Sequence, residues 1–305
     1  MEIFTEIIRL CDKYSNITVA LGTFDGVHVG HQKIIGRAVE LAKSIAGTSV
    51  VFTFSNHPLS IIDPARCPLQ LITNEHKAEL MQELGVDVLF NIPFTPDFLK
   101  LSPTDFITLL RANLQPKHIV VGPNYSFGYR GAGTPEFLRT AGEVSHFEVE
   151  VHPAVCINGN IVSSTVIRHL ITEGNVAEAS RLLGQPFKLK GIVISGDKRG
   201  RTLGFPTANL QIPEGFAVPN NGVYAVYVYI ENRQYNGIVN IGTNPTFKGA
   251  TRHIEAHVLN FAHDLYDKYI EIAFLNRIRG EKTFSSAEDL KSQICQDIHS
   301  AYKYY

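Results

Sequence analysis

The strongest constraint in this 305-residue sequence is a change of texture at Gly184-Gln185-Pro186. Before it, short apolar runs at residues 17 to 21, 49 to 54, 86 to 92 and 118 to 121 alternate with helically spaced stretches at 31 to 46, 75 to 84 and 103 to 114. A repeated β-then-α pattern predicts a parallel sheet covered by helices on both faces, and such sheets bind ligands at the carboxyl ends of their strands. Apolar residues at 166, 167, 170 and 171, followed by the run 177 to 183, predict two closing helices. After the break, β-branched and aromatic stretches at 190 to 195, 223 to 230, 235 to 241, 253 to 259 and 269 to 275 are separated by Gly, Asn and Pro. That half reads as an antiparallel barrel or sandwich. Leu290, Ile294 and Ile298 share one stripe of a last helix over 285 to 302. Because single cores stop growing at roughly 250–300 residues, two domains are expected, at 1–185 and 186–305.

Composition narrows the function classes. With 44% hydrophobic and 19% charged residues, the chain has a globular balance and no run near the ~20 apolar residues of a membrane helix. The formal net charge of -1 gives no overall field for nucleic acid or an anionic membrane, so neither is an expected partner. The opening residues are acidic and mixed, unlike a signal or transit peptide, which predicts the cytosol. Cys11, Cys67, Cys156 and Cys295 form no CxxC pair, so neither a zinc site nor a disulfide framework is expected.

The first chemical motif follows the first apolar strand: Gly22-Thr23-Phe24-Asp25-Gly26-Val27-His28-Val29-Gly30-His31. Its glycines allow close backbone approach, and the helix after it offers unpaired N–H groups and a positive dipole end to a phosphate. His28 and His31, three apart, would point to one side of a first helical turn and could donate to a triphosphate. The plainer reading is a glycine-rich turn with two surface histidines. Neither GxGxxG nor GxxxxGK[ST] is present. Ser163-Ser164-Thr165-Val166-Ile167-Arg168 opens another helix, where hydroxyls and a guanidinium could meet outer phosphates.

In the second half, Gly196-Asp197-Lys198-Arg199-Gly200-Arg201-Thr202-Leu203-Gly204-Phe205-Pro206-Thr207-Ala208-Asn209 interleaves glycine with basic residues. This could fold over phosphates, with Thr207 and Asn209 supplying oxygens to a cation, or be a solvated hairpin loop. Glu255 shares a strand face with His257 and Leu259, as a surface residue or as a proton acceptor.

HxGH between strand and helix resembles the nucleotidylyltransferase superfamily, and GTFDGVHVGH its flavin-adenylylating branch; SSTVIR matches the same superfamily's SSTxIR. GFPTANL matches the riboflavin kinase signature, and IEAHVLNF resembles that family's ExHxxDF with Asn260 at the aspartate. The whole chain resembles the prokaryotic bifunctional riboflavin kinase/FMN adenylyltransferases. The resemblance implies a Rossmann-like nucleotidylyltransferase domain followed by a Greek-key split barrel with an appended helix. It implies ATP and Mg²⁺ as co-substrate and cation, and riboflavin, FMN, FAD and pyrophosphate as the remaining partners.

Residue by residue, it implies catalytic roles for His28, His31, Arg168 and Glu255. Adenylyltransferase ATP contacts would come from Gly22, Thr23, Phe24, Asp25, Gly26, Gly30, Ser163, Ser164 and Thr165. Flavin contacts there would come from Asn56 and His57, where Asn56 departs from the frequent FDPHP, and from Asn124, Tyr125 and Phe127. For those aromatic residues, core packing and ring stacking are equally open. Kinase ATP contacts would come from Gly196, Lys198, Gly200, Gly204, Pro206, Thr207 and Asn209, with Thr207 and Asn209 on the metal. Arg279, Glu281 and Phe284 would flank the isoalloxazine. Two rivals stand beside this reading: a superfamily enzyme acting on another substrate, and a flavin-binding regulatory protein with one or both sites decayed.

Overall fold

The apolar runs of the first half are short, rich in Val, Ile and Phe, and buried on both faces, which suits central strands of a parallel sheet. In a computed structural model, which describes residues 1–196, 204–231, 233–246 and 249–305, they form β2 (Thr18–Leu21), β3 (Ser49–Phe54), β4 (Val88–Ile92) and β5 (His118–Val121). Two edge strands that the sequence reading passed over, β1 (Glu2–Phe4) and β6 (Glu148–Val151), complete a parallel sheet in the order β1-β4-β3-β2-β5-β6. Both are brief and half exposed, so their alternation is too weak to stand out.

Strand alternation sends Val19, Phe52 and Phe90 into a core on one face and Ala20, Val51 and Leu89 into a core on the other. The helices α1 (Val29–Ser44), α2 (Leu59–Ile62), α3 (Asn74–Glu83), α4 (Pro96–Leu99), α5 (Pro103–Leu114) and α6 (Pro135–Ser145) connect the strands. Their starts follow from the local sequence. Ser102 and Asp105 form a reciprocal capping box ahead of α5, and Thr134 caps α6 just before Pro135. The strand order reverses at β2, which lies between β3 and β5, and the carboxyl ends of β2 and β5 at such a switch point are where sheets of this kind bind ligands.

A small hairpin, β7 (Cys156–Ile157) and β8 (Asn160–Ile161), precedes α7 (Ser164–Thr172) and α8 (Val176–Leu183). Compactness divides the chain into Met1–Ser164 and Thr165–Tyr305, whereas the change in sequence texture lies at residue 185. The helix α8 goes with the second unit because Val176, Ala179, Leu182 and Leu183 are all buried on it and it packs against the neighbouring barrel.

That barrel is closed and antiparallel, in the order β10-β13-β12-β11-β14-β9, from β9 (Phe187–Ile194), β10 (Ala208–Gln211), β11 (Gly222–Ile230), β12 (Arg233–Thr246), β13 (Gly249–Val258) and β14 (Tyr269–Arg279). The strands β11, β12 and β13 meander and β14 returns beside β11, a Greek key. Only Ala208↔Ala256 and Asn209↔Glu255 pair β10 with β13, so this seam is the least tied. Tyr224, Val226, Val239, Ile241, Ile254 and Phe274 are buried along the barrel strands. The final helix α9 (Ala287–Ala301) packs outside, with Ala301, Ile294 and Ile298 against Val223, Ala225 and Ile238. No helix among the described residues is long and apolar enough to cross a membrane.

Candidate active sites

In the first unit the glycine turn runs from the end of β2 into α1. Phe24 and Val27 both adopt left-handed backbone angles, with φ of 48° and 40°, around Gly26 at 80°. A Cβ on Gly22 would lie 2.8 Å from the Phe24 ring, which explains glycine there. The turn delivers His28 as the N-cap of α1, where its Nδ1 accepts from the His31 backbone N–H at 3.2 Å. A three-residue spacing is thus the spacing of a cap to the third helical residue. With Nδ1 an acceptor, the proton of the neutral His28 ring sits on Nε2. The two imidazoles stack with centroids 3.5 Å apart, and the Phe24 ring meets His31 edge-on at 5.2 Å.

Asp25 and Thr23 stitch the turn to its surroundings. Asp25 Oδ1 accepts from the Leu71 N–H at 3.1 Å, and its carbonyl accepts from Ser164 Oγ at 2.9 Å, which ties the glycine turn to the SSTVIR segment. The Thr23 carbonyl accepts from Thr53 Oγ1 at 2.9 Å. Gly30 lies beside the His28 ring, where a Cβ would approach Cε1 to 3.1 Å. Ser163 and Ser164 are half buried, Thr165 is exposed, and Arg168 is half buried one turn further along α7.

The flavin-side candidates of this unit divide. Asn56 is consumed by structure: Oδ1 accepts from Phe94 N–H at 2.8 Å while Nδ2 donates to Phe94 O and Ser60 Oγ, both at 3.1 Å. His57 Nδ1 accepts from the Leu59 N–H. Phe127 is 7% exposed and belongs to the core, 5.3 Å from the Phe106 ring. Tyr125 stacks on Phe127 at 5.7 Å, and burial pushes its phenol upward in pKa, so it stays neutral. Asn124 is exposed beside them.

Sequence reasoning missed Lys77. It is 6% exposed and donates to the Phe54 carbonyl at 3.0 Å, and burial pushes its ammonium down to about 8 against the opposing pull of Asp25. Its signal was legible: Lys77 shares the buried stripe of α3 with Leu80 and Met81.

In the second unit, the register places Asn209 directly opposite Glu255, and Glu255 directly opposite Asn240. Opposed residues share a face, and their Cβ atoms lie about 4.5–5.5 Å apart. These three side chains therefore form a polar row, on the face away from buried Ile254 and Ala256. His257, two residues along, donates from Nδ1 to the Pro206 carbonyl at 2.8 Å and so ties the PTAN segment to the Glu255 strand. The side chain of Asn209 lies over Gly196, leaving no room for a Cβ there. Gly204 has a φ of 89°, and Thr207 is half buried two residues before Asn209. Lys198 and Gly200 lie outside the described residues. Glu281 accepts from Asn221 Nδ2 at 3.1 Å, whereas the Arg279 guanidinium is paired with Asp297 at 2.8 Å and stands 5.8 Å from the Phe284 ring.

Comparison with known proteins follows the same division. A family model described as FAD synthetase matches residues 11–166, and one described as riboflavin kinase matches residues 183–305. The bifunctional riboflavin kinase/FMN adenylyltransferase of Listeria monocytogenes is 39% identical over 92% of this chain and 90% of its own. That of Bacillus subtilis is 38% identical over 96% of this chain and 94% of its own. A crystal structure described as a macrolide-efflux protein from Streptococcus pneumoniae is 30% identical and superposes with a TM-score of 0.91 over 100% of both chains. Efflux is said there of that protein; both halves of this chain match enzyme families. The chain is accordingly a transferase of flavin synthesis, with riboflavin, FMN, FAD and ATP among its substrates and products. With both domain types present and relatives of the same name along nearly its full length, the chain belongs to the bifunctional riboflavin kinase/FMN adenylyltransferase family.

Proposed function

We propose that the N-terminal unit adenylylates FMN, that the barrel unit phosphorylates riboflavin, and that the residues above divide the chemistry between them. The observation that carries this reading is the pairing of Asn209 with Glu255, which sets the phosphate-side PTAN segment against a carboxylate fit to accept a proton.

In the barrel unit, the riboflavin 5'-hydroxyl gives its proton to Glu255 as its oxygen bonds the γ-phosphorus of ATP, and the bond to ADP breaks. Gly196, Gly204 and Pro206 shape the nucleotide side, Lys198 and Gly200 of the same motif lying outside the described residues, while Glu281 and Phe284 face the flavin ring. Both reactions use ATP with a divalent cation, which we take as Mg²⁺. Thr207 and Asn209, alternating to one face around buried Ala208, offer the hard oxygen donors such an ion prefers. Among the described residues no group of three or more His, Cys, Asp or Glu could hold a metal, so ATP phosphates would complete the coordination. The ion would supply charge neutralisation on those phosphates.

In the N-terminal unit, the nucleophile is a phosphate of FMN, already largely dianionic with a second pKa of about 6, and needs no base. Its oxygen bonds the α-phosphorus of ATP while the bond to the β-phosphate oxygen breaks, releasing pyrophosphate. The Nε2–H of His28, the His31 ring and the N–H groups opening α1 stabilise that charge. The net charge of -1 favours small-molecule partners over nucleic acid or membrane, and the reading places the enzyme in the cytosol.

The test is incubation with riboflavin, ATP and Mg²⁺ in aerobic and reducing conditions, resolving FMN and FAD by chromatography. Both products are expected. FMN alone would confine activity to the barrel unit, and neither would return the chain to a flavin-binding protein without turnover.

A further inference from the structure

Arg279, expected from the family motif to flank the flavin, has its hydrogen-bonding capacity largely committed elsewhere. Its Nε donates to both Asp297 oxygens, at 2.9 and 3.0 Å, its Nη2 to Oδ2 at 2.8 Å, and its Nη1 to the Gly280 carbonyl at 2.9 Å. Asp297 lies on α9 and is 2% exposed. Gln293, one turn earlier on the same helix, donates to Asp297 Oδ1 at 2.9 Å. A buried carboxylate is costly unless paired and hydrogen-bonded, and a fork of parallel bonds to a guanidinium also fixes direction.

The direction fixed is that of the chain leaving β14. Two residues beyond Arg279 comes Glu281, whose carboxylate is held from the barrel side by Asn221 Nδ2, itself bonded to Thr243 Oγ1 at 2.8 Å. A Cβ at Gly242 would stand 3.1 Å from Glu281 Oε1, so the carboxylate lies close over the β12 backbone. The Arg279 guanidinium also stands over the ring of Phe284. The segment 279 to 284 is thus clamped between one buried carboxylate on α9 and the barrel rim.

We infer that Asp297 is a positioning residue for riboflavin phosphorylation: through Arg279 it sets Glu281 and Phe284 against the flavin, and Arg279 itself makes no flavin contact. The inference rests on the reading of residues 279 to 284 as the flavin wall of the kinase site.

The test uses the full-length enzyme, with steady-state kinetics in riboflavin and ATP and a fluorescence titration of riboflavin binding. Asp297→Asn should raise the riboflavin KM and Kd on the order of tenfold or more, with kcat and the ATP KM within about twofold, since a displaced wall weakens binding rather than the chemical step. Arg279→Gln should do the same, and the double variant should be no worse than either single one, because both act through one link. Additive losses would mean that Arg279 touches the flavin independently and would overturn the inference. So would an unchanged riboflavin KM, or equal losses in kcat and both KM values, in a variant that a thermal melt shows to be folded. If Asp297→Asn does not stay folded, Gln293→Ala removes one bond to the same carboxylate and should give a smaller shift confined to riboflavin, with an unchanged KM again overturning it. Glu281→Gln and Phe284→Ala separate the two levels. If they raise the riboflavin KM and Asp297→Asn does not, only the positioning role fails; if neither moves it, the flavin wall itself was misassigned.

Discussion

His28 does two jobs that a substitution can separate. As the N-cap of α1 it accepts the His31 N–H, and as an imidazole it presents an Nε2–H beside the stacked ring of His31. Asn keeps a capping acceptor without the ring, whereas Ala removes both. His28→Ala should therefore lose about 1 kcal/mol of stability together with adenylylation, while His28→Asn keeps the stability and still loses on the order of 10²- to 10³-fold in FAD formation. Chemical unfolding and a FAD assay on the same preparations check this, and near-normal adenylylation by His28→Asn would reduce the histidine to a cap. Lys77 makes a second prediction at this scale. Burial holds its ammonium at about 8, below the 10.5 of an exposed lysine, so the unfolded chain keeps its proton more tightly than the folded one. The resulting penalty is fully present below pH 8 and is relieved as pH rises toward 10.5. Relative to Lys77→Met, the wild-type N-terminal unit should gain up to about 3 kcal/mol across that window. Denaturant unfolding of both proteins at pH 7 and pH 10 measures it, and a difference that does not move with pH would show an ordinary lysine.

Among the elements, the seam between β10 and β13 matters most to the proposed kinase chemistry. Two register pairs hold it, one of them Asn209↔Glu255, and the His257 bond to Pro206 reinforces it from outside. Glu255→Gln keeps size and hydrogen-bonding ability, so the seam should survive while the proton acceptor is lost. FMN formation should fall on the order of 10²- to 10⁴-fold, mainly in kcat. Supplied FMN should still be converted to FAD, because attack by an existing phosphate anion needs no base. Loss of adenylylation with the kinase spared would reverse the assignment of chemistry to the two units.

At the scale of the molecule, the division falls at Ser164 and Thr165, with α8 carrying four buried apolar residues on the barrel's side of it. Gly174, just before α8, leaves no space for a Cβ against the Tyr224 hydroxyl at 2.7 Å, so this helix pair seats closely on the barrel. The buried Val176, Leu182 and Leu183 side chains each contribute roughly 1.5–3 kcal/mol, and the Ala179 methyl less. A fragment of residues 165 to 305 should therefore fold and phosphorylate riboflavin without making FAD, and a fragment of residues 187 to 305 should melt lower by several degrees or fail to fold. Equal melting temperatures for the two would show α8 to be dispensable.

The sequence alone carried the parallel sheet of the first half, the barrel of the second, and the motifs at residues 22 to 31, 163 to 168 and 204 to 209, because local periodicity and turn chemistry encode them within a few residues. It also carried the family, through strings such as GTFDGVHVGH and GFPTANL. The short edges β1 and β6 escaped it, since three or four half-exposed residues hold no clear alternation. Partnership between distant residues was decided only in three dimensions. Asn56 resembles a ligand residue in its motif yet spends its amide on Phe94, Arg279 is bound to Asp297, and Lys77 is buried against the end of β3. A residue type announces what its side chain can do; packing and register decide which of those capacities are already spent within the fold and which are left for a substrate.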